Sequence, residues 1–379
     1  MTQKILIVGG GLAGTIIANG LARQLYGELK RGEITVQVIG NSDTHLYQPG
    51  LLYLPFGRVR ERELMRPERA ILHRLVDFHL DEATHIDVEA KVVSTRSGHE
   101  HSFDYLVLAT GSRLDFDAIP GMAAGSQCFY DLDGARAMRD ALENFDGGRI
   151  VVNVNVPHKC PMAPLEITFM LRDYLAKRGI WERSELLYTF PIGRLHGLEP
   201  VANWAAEHFE RLGITSETFF NAKTVDAQKR VVHSEEDVDL AYDLLITIPP
   251  HRGAEVIESS ALGDGGWIPT DRETLLCEGA TNVFVCGDTT NLPISKAGST
   301  AHFEADTIID NLVSLVSGGK MTSRYDGKVF CFLETGFDSG TYIWFNYETP
   351  PHPGPPSQMI HWYKLAYNRM YWLSARGLL

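Results

Sequence analysis

Four glycines within six residues, set between an apolar strand and an amphipathic helix, constrain this chain more than any other feature. Lys4-Ile-Leu-Ile-Val8 reads as a short buried strand, and Gly9-Gly-Gly11-Leu-Ala-Gly14 follows at once. Thr15–Tyr26 then carries Ile16, Ile17, Leu21 and Leu25 at helical spacing. In such a strand–turn–helix, Gly9 permits the tight turn and Gly11 lets the backbone approach a pyrophosphate. Gly14 lets the helix pack on the strand. The helix N-terminus adds N–H groups and a positive dipole end. The expectation is an α/β domain that binds a dinucleotide. One element departs from the pattern. The second strand, Ile34–Ile39, should end in an acidic residue that holds the ribose, but Gly40 and Asn41 stand there and Asp43 comes late. Asn41 and Ser42 are the candidates for that contact.

A length of 379 residues allows two domains, and a net charge of −13 argues against a nucleic-acid surface. Five scattered cysteines, an odd number, do not form a secreted disulfide framework. Met1-Thr-Gln-Lys runs straight into the first strand, so no export signal is expected. No apolar run reaches the roughly 18 residues of a membrane-spanning helix. A protein that is soluble or held at a membrane surface is expected.

Two further segments resemble the signatures of flavoproteins with two dinucleotide-binding folds. Phe103-Asp-Tyr-Leu-Val-Leu-Ala-Thr110-Gly111-Ser112 resembles the turn by which those chains return to the FAD domain. Asn282-Val-Phe-Val-Cys-Gly287-Asp288-Thr289 resembles the second FAD signature, whose aspartate binds the ribityl chain. The resemblance covers residues 1 to about 320 and implies FAD, held by Gly9, Gly11, Gly14, Thr110, Gly111, Gly287 and Asp288. It also implies two Rossmann-like domains of the glutathione-reductase type. Residues 1–112 and 246–320 would form the FAD domain, 113–245 the second domain, and 321–379 a C-terminal quinone and membrane region.

In the second domain, Arg149–Val154, Pro164–Lys177 and Glu185–Phe190 read as strand, helix and strand. NADH-using relatives have a glycine-rich turn after the first of these. Here Val154-Asn-Val-Pro-His-Lys-Cys160-Pro has no glycine, and Asn155, Pro157 and Pro161 obstruct a close approach. Hydride from NADH is therefore not expected. Cys160 lies near a helix start, where the dipole lowers a thiol pKa, and His158 and Lys159 should push the same way. Pro157-x-x-Cys160-x-x-Ala163-Pro164-x-Glu166, with Cys331 downstream and Cys128 upstream, resembles the sulfide:quinone oxidoreductases. It also resembles the flavoprotein subunit of flavocytochrome c sulfide dehydrogenase. The resemblance implies that Cys160 and Cys331 form a redox disulfide beside the flavin, with Cys128 assisting at the entrance. It further implies His196 as a proton acceptor, while a second family histidine is missing near Leu132. Glu166 is another candidate base. Cys277 and Cys286 are read as packing residues.

Pro293-Ile-Ser-Lys296-Ala-Gly298 resembles the segment that sets a lysine beside flavin and quinone, where a cation stabilises anionic reduced flavin. The tail, with Trp344, Phe345, Tyr347, Trp362, Tyr363, Tyr367, Tyr371 and Trp372, reads as a hairpin, a proline-rich link and a final helix of about 18 residues. Such a helix would lie in a membrane interface, making the protein peripheral or monotopic. Phe332, Phe345 and Lys364 are the quinone-pocket candidates. The expected activity is oxidation of sulfide to sulfane sulfur with reduction of quinone, with room for a homo-oligomer. Three rivals are a cytochrome-linked sulfide dehydrogenase subunit, a type II NADH:quinone oxidoreductase, and a non-catalytic FAD-binding sulfur sensor.

Overall fold

The computed structural model describes residues 2–378. β1 (Gln3–Val8) leads into α1 (Leu12–Gln24), and β2 (Ile34–Gly40), β3 (Val76–Leu80) and β4 (Tyr105–Leu108) follow. The chain then builds β5 (Gly148–Val154), α2 (Ala163–Lys177), β6 (Ser184–Phe190), α3 (Glu199–Leu212), β7 (Thr215–Thr218) and β8 (Leu244–Ile248). It returns through β9 (Val283–Val285) and α4 (Gly298–Val316). It closes with β10 (Val329–Glu334), β11 (Gly340–Phe345) and α5 (Gln358–Ala375).

Two parallel sheets carry the architecture. One has the order β9-β4-β1-β2-β3, the other β7-β6-β5-β8. Their central strands are unbroken apolar runs, such as Ile5-Leu-Ile-Val8 and Ile150-Val-Val152, because both faces of a parallel sheet are covered. Gly9, at φ +119°, turns β1 away from the sheet, and a Cβ there would sit 2.2 Å from the Ala109 carbonyl oxygen. A Cβ on Gly14 would lie 1.9 Å from the Gly9 oxygen, so α1 can press on the loop only with glycine at that position. The helix starts at Leu12, inside the glycine segment and earlier than Thr15. It ends at Gln24, and a separate short helix begins at Tyr26.

The hairpin β10–β11 pairs Cys331 with Ile343 and Phe332 with Tyr342. Strand alternation turns Ile343 and Phe345 into the core and leaves Tyr342 and Trp344 exposed. Helix α5 is two-sided as well. His361, Lys364, Trp372 and Ala375 are buried, whereas Met359, Trp362, Tyr363, Tyr367, Met370 and Leu373 face outward. Among the described residues no helix is long and apolar enough to cross a membrane.

Candidate functional site

The start of α1 has no side-chain cap and no acidic residue in its first turn, so its N–H groups are open to an anion. A Cβ on Gly11 would meet nothing within 4 Å, which leaves room for a ligand against the backbone. The two other signature segments close on each other in front of this loop. Gly111 N donates to Thr289 Oγ1 at 2.8 Å, Thr110 and Thr289 hydroxyls lie 3.3 Å apart, and Ser112 Oγ donates to Asp288 Oδ2 at 3.0 Å. Lys296 Nζ donates to the carbonyls of Asp288, at 3.1 Å, and Thr290, and stands 4.4 Å over the Trp267 ring. These residues fit a dinucleotide. At the end of β2, Asn41 is exposed, while the Ser42 hydroxyl is engaged in a local turn with Thr44 at 3.0–3.1 Å.

The loop after β5 meets this cradle directly. Cys160 N donates to Lys296 O at 2.7 Å, and Cys160 holds φ +49°, a left-handed conformation uncommon for a side-chain-bearing residue. Where a glycine turn would stand, Asn155 Nδ2 donates to Asn153 Oδ1 at 2.9 Å and to Ile248 O at 3.0 Å, and Pro157 O accepts from His251 N at 2.7 Å. Cys331 reaches the same place from β10, with its sulfur 3.6 Å from Ser299 Oγ near the start of α4. Both cysteines are free thiols, pack against one core, and lie within electrostatic reach of each other.

The expected lowering of the Cys160 pKa is reversed. Burial pushes the thiol up to about 12, and Cys331 and Glu166 add to the rise; the Ala163 N–H of the helix start only offsets part of it. Cys331 is pushed to about 11 by burial, with Ser299 opposing. The neighbours do not help as anticipated. Burial lowers His158 to about 4, so it is neutral near pH 7, and Lys159 Nζ turns away to Gln48 Oε1 at 2.8 Å.

Glu166, on α2, is buried, and its Oε1 accepts from Glu334 N at 2.7 Å and pairs with Lys364 Nζ from α5. Burial raises the Glu166 carboxyl, opposed first by Lys364. Lys364 is held above the usual lysine range because Glu166 and Glu334 outweigh its own burial.

Other expected residues fall elsewhere. Cys128 is 3% exposed, a buried position rather than an entrance, and its thiol is pushed to about 12 by burial. His196 Nδ1 accepts from Leu198 N at 3.0 Å, so the neutral ring carries its hydrogen on Nε2, which is buried and has no hydrogen-bond partner among the described residues. Burial lowers it to about 4. Phe345 lies in the core, whereas Phe332 lies on the aromatic side of the hairpin, 5.7 Å from the Tyr367 ring and 4.9 Å from Phe330. Phe345 is 5% exposed and packs in the core on the same strand face as Cys331 and Ile343.

Several site groups escape sequence reading. Glu304, fully buried, accepts from Gly287 N at 2.5 Å, and burial raises its carboxyl to about 8. His45, Glu68 and Tyr371 form a buried chain that ends on Thr15 of α1, with links of 2.7–2.8 Å. Glu334 bonds Tyr53 and His361. The only signal for these is a charged residue inside an apolar run, as in Cys331-Phe-Leu-Glu334.

A model of the pyridine nucleotide-disulphide oxidoreductase family matches residues 3–153. The chain is 25% identical over 361 residues to the mitochondrial sulfide:quinone oxidoreductase of Mus musculus, covering 92% of this chain and 79% of that protein. It overlays the X-ray structure of the sulfide:quinone oxidoreductase from Aquifex aeolicus with a TM-score of 0.88 at 19% identity, over 99% and 92% of the two chains. Similarity to a type II NADH:quinone oxidoreductase of Mycobacterium tuberculosis reaches 30% identity but covers only 37% of this chain.

Proposed function

We infer that this chain, which belongs to the sulfide:quinone oxidoreductase family, oxidises sulfide to sulfane sulfur and passes the electrons through FAD to quinone. The observation that carries this reading is the Cys160–Cys331 pair, drawn from two distant elements onto the segment that holds Lys296. FAD, when bound, supplies a two-electron carrier between sulfur and quinone. Gly9, Gly11, Gly14, Thr110, Gly111, Gly287 and Asp288 would hold it, with Lys296 as the cation beside it. In this reading residues 1–112 and 246–320 form the FAD domain, 113–245 carry Cys128 and Cys160, and 321–379 bind quinone and membrane.

The cysteines take up sulfur by exchange. Hydrosulfide attacks the oxidised pair, one S–S bond breaks, a persulfide forms on the attacked cysteine, and its partner leaves as thiolate. Burial holds the reduced thiols protonated near neutral pH, so the pair needs a neighbouring base to be re-oxidised; Glu166 is a carboxylate within electrostatic reach of both thiols. Lys364 opposes the rise that burial imposes on the Glu166 carboxyl and sets a positive charge beside the site, with Phe332 as the aromatic candidate for the quinone ring. Two results test the function: anaerobic sulfide should bleach the flavin absorbance, and decylubiquinone should restore it. Bleaching by NADH without bleaching by sulfide would overturn it.

The exposed face formed by Trp344, Tyr342, Trp362, Tyr363, Tyr367 and Met370 supports attachment to a membrane surface by apolar burial, since the acidic chain gains little from anionic lipid. Deleting α5 would also remove buried Lys364 and Trp372 and so would not test this cleanly. The double change Trp362→Glu and Tyr363→Glu, on the outer face only, should cut co-sedimentation with phosphatidylcholine vesicles at least several-fold and leave FAD content unchanged. Undiminished binding would remove this face from the membrane contact.

A further inference from the structure

Oxidation of hydrosulfide to sulfane sulfur releases two electrons and one proton, while reduction of a quinone to quinol takes two electrons and two protons. One proton per turnover must therefore come from solvent. We propose that His361 and Glu334 carry it, as a buried relay between the hairpin tip at Asp338 and the Glu166–Lys364 pair. This rests on the reading that quinone is reduced beside Cys331 and Lys364.

Glu334 ends the apolar strand β10 and is fully buried. Each of its carboxylate oxygens has a partner. Tyr53 OH donates to Oε1 at 2.6 Å, and His361 Nδ1 bonds Oε2 at 2.8 Å. The Glu334 backbone N–H donates to Glu166 Oε1 and holds the two carboxyls within electrostatic reach, while the bonded run of the Glu334 carboxylate itself leads through Tyr53, whose ring centroid lies 5.8 Å from Lys364 Nζ. At the other end, His361 is 3% exposed and lies within electrostatic reach of Asp338, whose carboxylate is exposed and bonded to Lys177 at 2.8 Å. Tyr53 is oriented in turn, because its OH accepts from Asn368 Nδ2 at 3.3 Å and Asn368 Oδ1 accepts from Tyr47 OH at 2.6 Å. With its acceptor role taken by Asn368, the Tyr53 hydroxyl hydrogen points at Glu334.

Charge counting then assigns the proton. Two carboxylates, Glu166 and Glu334, face one ammonium, Lys364, in an interior that does not tolerate an uncompensated charge. One further proton on the cluster as a whole cancels the remaining negative charge. The cluster thus holds one exchangeable proton beyond that of Lys364. Giving it to a quinone oxygen leaves the cluster one charge short, and uptake from solvent through His361 restores it. The sulfur exchange uses neither Glu334 nor His361.

His361→Gln tests the relay in the full-length FAD-loaded protein, because glutamine can still donate to Glu334 but cannot carry a proton. The flavin is reduced anaerobically with sulfide and then mixed with decylubiquinone in H2O and in D2O, with a pH-indicator dye reporting proton uptake. The expected result is a sulfide limb close to wild type. The quinone limb should slow by roughly 10²-fold or more, the size of a lost general acid. Its solvent isotope effect should increase, and His361→Ala should recover with added imidazole. Glu334→Gln should show the same pattern and serves if neither His361 variant retains FAD. A quinone limb that is unchanged, or slowed without isotope effect or rescue, would overturn the relay. Failure of sulfide to bleach the wild-type flavin would instead overturn the reading beneath it.

Discussion

Serine in place of Cys160 or of Cys331 is expected to abolish flavin reduction by sulfide, with a loss of about 10³-fold or more, as for removal of a nucleophile. FAD should stay bound in both variants, because neither side chain belongs to the dinucleotide cradle. Serine is close in volume to cysteine, and at position 331 its hydroxyl can keep the contact with Ser299. At position 160 it bears the same left-handed backbone as the cysteine it replaces. What serine cannot do is form or break an S–S bond. Cys277→Ser is the matching control, since Cys277 lies apart from the site and should leave turnover unchanged. Stopped-flow absorbance of the flavin after anaerobic sulfide addition reads the result, and normal bleaching in either variant would remove that cysteine from the mechanism. The same geometry sets the pH behaviour of the reduced thiols. With values pushed up to about 12 and 11, alkylation by iodoacetamide should be slow at pH 7 and accelerate through pH 9–10, without the plateau of an activated thiolate. A plateau below pH 8 would contradict the burial effect.

The sulfur loop shows what the chain discloses in its residues and what it does not. The strand, the absent glycines and the helix that follows Cys160 are local properties, and each is set by propensity and by the covering of both sheet faces. The same holds for the glycine turn at Gly9–Gly14 and for the alternation of β10 and β11. The error over the Cys160 pKa has a different origin. A helix start and two basic neighbours are visible in sequence, but desolvation depends on what packs above the thiol, and that cover comes from β10 and the Lys296 segment. The face that Phe345 takes is hidden for a related reason. Its distance from Phe332 along the chain says nothing of strand register, and one position of register decides which face it takes. His45, Glu68, Glu304, Glu334 and His361 escaped because each finds its partner across a long stretch of chain. A buried carboxylate in an apolar run is a visible anomaly, but its partner is visible only in three dimensions.

Lys364→Met should be the most destabilising single change in the C-terminal region, by about 3–5 kcal/mol, the usual cost of stranding one member of a buried ion pair. The methionine fills similar volume, so the loss reports charge and not a cavity. Glu166 and Lys364 have side chains 7% and 9% exposed, too little for water to take over the missing partner. The pH dependence carries the sign. In the wild type the Lys364 pKa is raised above its unfolded value, so its contribution is complete below about pH 10 and is lost as pH rises beyond that range. In the variant, Glu166 loses the strongest influence that lowers its carboxyl, so its pKa climbs further above the unfolded value. A carboxyl raised on folding costs nothing while protonated, below its unfolded pKa, and destabilises progressively as pH rises through the folded value. The deficit of Lys364→Met against wild type should therefore be small near pH 4 and grow as pH rises toward the raised folded value. Urea denaturation of the FAD-bound proteins at several pH values measures it. In the double variant Glu166→Gln with Lys364→Met, no charge is left stranded, and most of the stability should return. A deficit that is independent of pH, or a double variant no more stable than Lys364→Met alone, would show that Lys364 acts through packing and not through its charge.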